Sequence, residues 1–207
     1  MKIVFIGDSI TDAYHNYSDD SLGEGYVKMI GDKLRKTHES LEVINKGHDG
    51  FTVFGLWRFL EHDCISKKPD IVSVLIGCND VSIKMSTGKT LEEQEFELTY
   101  ERILKKIRQK TGAKIICMGP FIFPHPQEFA NWIPDMKKAE EMARRATEKY
   151  DALFLPLHDD LLKEAIRQGY ENVTTDGTHL APGGARFVAE KWLDATRNWL
   201  DKNAEIS

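Results

Sequence analysis

Five short apolar runs rich in β-branched residues punctuate this chain: Ile3 to Ile6, Leu41 to Ile44, Ile71 to Ile76, Ala113 to Met118 and Leu153 to Leu155. Longer stretches with apolar residues at helical spacing lie between and after them: Tyr26 to Lys36, Val53 to His62, Leu91 to Lys110, Asp135 to Lys149 and Pro182 to Leu200. Short continuous apolar runs suit strands buried on both faces, and the amphipathic stretches suit the helices that cover them. Parallel neighbours need a crossover long enough to return the chain across the sheet, which a helix supplies. The alternation therefore predicts an α/β fold of three layers, α/β/α and flavodoxin-like, around a mostly parallel five-stranded sheet.

With 207 residues and 41% hydrophobic content, the chain suits one domain spanning residues 1–207 with a full core. No repeat, low-complexity tract or linker divides it, and Ser86 to Thr90 is short enough for an ordinary loop. A net charge of −5 disfavours nucleic acid as a partner. Basic clusters fall where helices want them: Leu91 to Gln94 leads with acids and Lys105 to Lys110 ends with bases, as the helix dipole prefers. Cys64, Cys78 and Cys117 are odd in number and widely spaced, which suits reduced, buried thiols rather than disulfides or a metal pair. The apolar start, Lys2 to Ile6, is too short for a signal sequence, and no later run has membrane-spanning length. A cytoplasmic protein with no membrane partner is the expectation.

Ligands in such a sheet bind beyond the carboxyl ends of the strands, so functional residues should follow strands at once. Four segments do so or lead to that rim: Gly7-Asp8-Ser9-Ile10-Thr11, Asn45-Lys46-Gly47-His48-Asp49-Gly50, Gly77-Cys78-Asn79-Asp80, and Asp176-Gly177-Thr178-His179. Taken singly each has a plain structural use: Ser9 as a helix cap, Gly50 as a turn residue, Asn79 in an Asx turn, Asp176 as a loop cap. Together they supply a hydroxyl nucleophile, an imidazole base and an orienting carboxylate. A serine hydroxyl needs such a base at neutral pH, so Ser9 calls for His179, with Asp176 fixing its tautomer.

The order Gly-Asp-Ser, Asn-x-x-x-x-Gly-x-Thr, Gly-x-Asn-Asp and Asp-x-x-His resembles the SGNH, or GDSL-type, superfamily of esterases and acylhydrolases, and the match spans the whole chain. Leu180 follows His179 where some members carry proline, a common variant. The resemblance implies the SGNH hydrolase fold, a catalytic triad of Ser9, Asp176 and His179, and an oxyanion hole formed by the Ser9 and Gly50 backbone N–H groups and the Asn79 amide. It implies no cofactor and no metal. Asp8 and Asp80 are expected to hold loops, and Cys78 to be a small buried hydrophobe. The second glycine of G-x-S-x-G is missing after Ser9, so the α/β-hydrolase nucleophile elbow is not supported.

The expected activity is a serine esterase acting on a small-molecule ester through an acyl-enzyme, with activity falling as acid protonates the base. Cytoplasmic carbohydrate-esterase members also begin with the string that Phe5 to Asp12 forms here, which points to an acetylated carbohydrate. Lysophospholipid and acyl-thioester hydrolysis are alternatives. Asp12, Tyr14, His48, Phe121 and Trp132 are candidate substrate contacts. The apolar stretch 119–134 is open to three uses: acyl pocket, cover or subunit contact, the last as a homo-oligomer. Two other classes compete. A metal-dependent phosphoesterase would also place Asp, Asn and His at strand ends, but the histidine-rich ligand motifs are missing. A non-catalytic ligand-binding module would have no use for the full set.

Overall fold

The computed structural model describes residues 1–38 and 40–201. Five strands, β1 (Lys2–Gly7), β2 (Glu42–Gly47), β3 (Ile71–Leu75), β4 (Lys114–Met118) and β5 (Leu153–Leu155), form one sheet in the order β2-β1-β3-β4-β5, every pair parallel. Ile3, Val4, Phe5 and Ile6 in β1 and all of β3 are buried, as central parallel strands covered on both faces must be. The edge strand β2 alternates instead, burying Val43, Asn45 and Gly47. Register fixes the working end of the sheet: Gly7 pairs with Gly47 on one side and Leu75 on the other, so three strands finish level.

The helices are α1 (Ser9–Asp12), α2 (Tyr26–Arg35), α3 (Val53–Asp63), α4 (Cys78–Thr87), α5 (Phe96–Thr111), α6 (Ile133–Glu148), α7 (His158–Gln168), α8 (Tyr170–Val173) and α9 (Pro182–Asp201). They cover the sheet on both sides, with α2 packed on α9, and α5 packed on α3 and α6. In α5 the buried residues Phe96, Thr99, Tyr100, Ile103, Leu104 and Ile107 recur at three- and four-residue steps, which lays one apolar stripe on the core. Trp192 of α9 is wholly buried, packs at a tilt against Phe5 with ring centroids 5.2 Å apart and donates Nε1–H to Ser73 Oγ at 3.0 Å, pinning the last helix to the middle of the sheet. Among the described residues no helix is long and apolar enough to cross a membrane.

Two departures from the sequence reading have local causes. The helix expected from Leu91 begins at Phe96. Thr90 and Glu93 make a reciprocal capping box, with N–H bonds of 2.7 and 3.2 Å, that closes one turn. Glu95 then takes the left-handed conformation (φ 53°) and breaks the path before α5 starts. Strand β2 runs three residues past the apolar Ile44, to Gly47, because buried Asn45 and Gly47 meet protein rather than solvent.

Candidate active site

Asp8 leaves β1 and caps α1 by accepting the Ile10 N–H at 3.0 Å, which puts Ser9 at the first helical position. A first helical residue has no internal partner for its N–H, so Ser9 presents both a hydroxyl and a backbone donor at the sheet's carboxyl edge. Close packing under this turn demands glycine: a Cβ on Gly47 would lie 2.1 Å from the Asp12 nitrogen. Buried Asn45 completes the support. Its amide donates to the carbonyls of Thr11 (2.7 Å) and Leu22 (2.9 Å) while its Oδ1 accepts the Gly47 N–H (2.9 Å).

Between α8 and α9 a tight loop carries Asp176 and His179. Thr174 Oγ1 donates to the His179 carbonyl at 2.8 Å and accepts the Gly177 N–H at 2.8 Å, while Phe123 N–H donates to the Gly177 carbonyl at 2.9 Å. Gly177 has φ 93°, and a Cβ there would meet the His125 carbonyl oxygen at 2.3 Å. Asp176 accepts the N–H groups of Thr178 (2.9 Å) and His179 (2.8 Å) on Oδ1, leaving Oδ2 to meet His179 Nδ1 at 2.7 Å. The opposite ring nitrogen, Nε2, lies 2.9 Å from Ser9 Oγ across 170 residues of sequence. Partial burial pushes the Asp176 carboxyl up, but the His179 ring and the two N–H groups outweigh it and hold the group below its usual range. Asp176 is thus an anion that keeps Nδ1 protonated and leaves the Nε2 lone pair facing Ser9, an arrangement able to take the hydroxyl proton.

Gly50 and Asn79 stand at the ends of the two strands flanking β1. Gly50 adopts φ 71°, and the space where its Cβ would be is open. Asn79 sits at the second position of α4 and donates one amide N–H to the Phe51 carbonyl at 2.9 Å, tying α4 to the Gly50 turn. Gly77, at φ 135°, makes the bend that delivers Asn79. Thr52 Oγ1 accepts the Gly55 N–H and starts α3.

Asp80 accepts the Val53 N–H and so holds the same turn from below, as expected of a loop-holding acid. Burial pushes both Asp8 and Asp80 up to about 7, against hydrogen bonds from Ile10 and Val53 that lower them. Cys78 is buried, and its thiol is pushed well above the usual range by burial and by the carboxylates of Asp8, Asp80 and Asp176, so it is no nucleophile. Cys64 and Cys117 are likewise free and buried.

The proposed substrate contacts divide. Tyr14 is 70% exposed, held out by a left-handed backbone (φ 62°). Asp12 accepts the His15 N–H and Nδ1–H on Oδ1, so its carboxylate serves its own loop. His48 donates Nε2–H to Asp63 at 2.8 Å and stacks on Phe51. Trp132 is half-buried against Phe129, with ring centroids 4.8 Å apart. Phe121 is a correction: it is 1% exposed and packs edge-on against Phe123, so it offers nothing to a substrate. The segment after β4 turns its apolar residues into the core and buttresses the loop of Asp176 and His179 through Phe123. The aromatic surface expected to motivate self-association is buried or half-buried. Asp63 and Thr174 were not anticipated; an acid in the last turn of α3, where bases are favoured, was the available signal for the first.

Among the described residues, no group of three or more His, Cys, Asp or Glu side chains stands where it could hold a metal ion. Residues 5–187 match the profile of the GDSL-like Lipase/Acylhydrolase family. An acetylxylan esterase from Geobacillus stearothermophilus is 37% identical over 130 residues, 58% of this chain and 59% of that protein. The chain thus spans about 59% of the length of the curated relative it matches. Its structure is similar to a protein of GDSL-like lipase type from Parabacteroides merdae (TM-score 0.86, 27% identity, 94% of each chain). It is also similar to a catalytic mutant of the Geobacillus acetylxylan esterase Axe2 (TM-score 0.81, 28% identity, 94% of this chain and 93% of that one). The chain belongs to the GDSL-like Lipase/Acylhydrolase family.

Proposed function

We propose that the protein hydrolyses small carboxylic esters, acetylated carbohydrates foremost, by a two-step transfer through an acyl group on Ser9. The observation that carries this reading is the unbroken relay from Asp176 through His179 to Ser9, at 2.7 and 2.9 Å. Ser9 Oγ attacks the ester carbonyl as His179 Nε2 takes its proton. The carbonyl oxygen becomes an oxyanion that accepts from the Ser9 and Gly50 N–H groups and from Asn79. Donors already fixed in place stabilise that charge without reorganising, each contributing about 2.7–4 kcal/mol. His179 then gives its proton to the departing alkoxide, and water, activated by the same imidazole, releases the acid.

Two features support a short acyl group on a larger alcohol. The side chains of Asp176 and His179 are 52% and 46% exposed, so the site opens directly to solvent and leaves room for a sugar ring. The residues that could have walled an apolar acyl channel, Phe121, Ile122 and Phe123, are each 1% exposed inside the core. The similarity to an acetylxylan esterase points the same way. The phosphoesterase alternative has no comparable support in the arrangement of side chains.

Hydrolysis of p-nitrophenyl esters from acetate to long acyl chains, alongside acetate release from acetylated xylo-oligosaccharides, tests the reading. Turnover is expected to be greatest on acetyl groups and unchanged by EDTA. A preference for long chains would move the substrate to lipids or thioesters, and loss of activity in EDTA would overturn the metal-free mechanism.

A further inference from the structure

Beyond β2 the chain turns through His48, Asp49, Gly50 and Phe51, closed by the Phe51 N–H donating to the His48 carbonyl at 3.2 Å. Asn79 holds the outer end of this turn through the Phe51 carbonyl. His48 holds the inner end three ways. Its N–H donates to the Gly7 carbonyl at 3.0 Å, its ring stacks on Phe51 at 4.4 Å, and Nε2–H donates to Asp63 Oδ2 at 2.8 Å.

Asp63 is an odd residue for its place. It lies in the last turn of α3 and is 4% exposed, so a carboxylate there is disfavoured both by burial and by the negative end of the helix dipole. Two imidazole N–H groups offset this, His48 on Oδ2 and His62 Nδ1 on Oδ1 at 2.8 Å. Burial pushes the carboxyl up, and these two bonds outweigh it and hold the group below its ordinary value. An apolar residue would stabilise such a position more simply.

We propose that Asp63 and His48 form a positioning pair that locks the turn so that the Gly50 N–H stays aimed at the oxyanion. The proposal rests on the Ser9 esterase reading with Gly50 as a donor. Neither residue of the pair touches the substrate in it. An oxyanion donor acts only where it is held in place, and small displacements near a reacting centre cost large factors in rate.

The test is steady-state hydrolysis of p-nitrophenyl acetate. His48→Phe keeps the ring stack but removes the bond to Asp63; kcat is expected to fall roughly tenfold or more with KM within about twofold. His48→Gln, whose amide N–H can reach the position of Nε2, is expected to stay within about threefold of wild type. Inhibition by a boronic acid, whose tetrahedral adduct on Ser9 mimics the intermediate, should weaken in His48→Phe by the same factor as kcat. Asp63→Leu removes both acceptor oxygens and so breaks the pair from the other side, keeps the test alive if His48→Phe does not fold, and should show no added loss in the double variant. Wild-type kcat in these variants, equal loss in the Gln and Phe substitutions, or losses that multiply would overturn the pair. Ser9→Ala separates the two readings: surviving turnover there sinks the esterase itself, whereas an inactive Ser9→Ala beside a fully active His48→Phe sinks only the positioning pair.

Discussion

At the residue scale, the chemistry depends on groups whose hydrogen-bonding capacity is already divided between structure and reaction. Asp176 is the plainest case, with Oδ1 taken by two backbone N–H groups and Oδ2 left for His179. Asp176→Asn keeps the shape but can present an N–H to Nδ1, which favours the wrong tautomer. We expect kcat on p-nitrophenyl acetate to fall roughly 10²- to 10⁴-fold with little change in melting temperature. Retention of wild-type kcat would show that His179 works without its carboxylate. The juxtaposition of Ser9, Asp176 and His179 was legible in the sequence because each sits in a short string at a strand end or in a local Asp-x-x-His turn, where spacing in sequence translates into spacing in space. Asp63 was not, since its role appears only when α3 brings it back beneath a turn 15 residues earlier.

At the element scale, the segment from β2 to α3 shows how one short stretch divides its labour. Asn45 ties β2 to α1 and to the loop at Leu22, Gly47 lets the α1 backbone approach, Gly50 takes the left-handed turn and Thr52 caps the next helix. Two glycine substitutions should therefore behave differently. Gly50→Ala meets open space and only a strained backbone, so a loss of about 1–2 kcal/mol is expected. Gly47→Ala drives a methyl into the Asp12 and Thr11 backbone, so a loss of more than about 3 kcal/mol is expected, and the variant would accumulate poorly. Urea unfolding of the two proteins checks this, and equal losses would contradict the packing account. Helices α4 and α7 escaped the sequence reading for different reasons. Few residues of α4 face the core, Cys78, Asp80 and Val81 among them, so its apolar stripe is faint. Helix α7 carries its buried residues, His158, Leu161 and Ala165, on a short face opened by a polar residue.

At the scale of the whole molecule, the sheet order was legible in class but not in detail: alternation implied parallel strands with helices on both sides, while the pairing order comes from register and packing. The fold concentrates buried carboxyls beneath the rim, and this has a consequence for stability. Burial raises Asp8 and Asp80 to about 7 from the ordinary 3.8, so each keeps its proton on folding at mildly acidic pH. A raised group of this kind stabilises the fold fully below 3.8 and loses that contribution as pH rises through about 7. Asp63 and Asp176, held below their ordinary values, act in the opposite sense and lose their contribution as pH falls. Asp8→Asn retains the oxygen that caps α1 but cannot ionise. Its urea midpoint should therefore improve relative to wild type between about pH 4 and pH 7, and parallel midpoints would contradict the burial account.

The kinetic expectations depend on Ser9 being the nucleophile. The most direct measurement is kcat/KM for p-nitrophenyl acetate in wild type and Ser9→Ala, both in EDTA and at matched folded concentration. A loss of at least about 10⁴-fold in the variant, with wild type indifferent to the chelator, is the predicted result. Turnover in Ser9→Ala within about tenfold of wild type would contradict the account, because removal of a covalent nucleophile cannot leave its own chemistry intact.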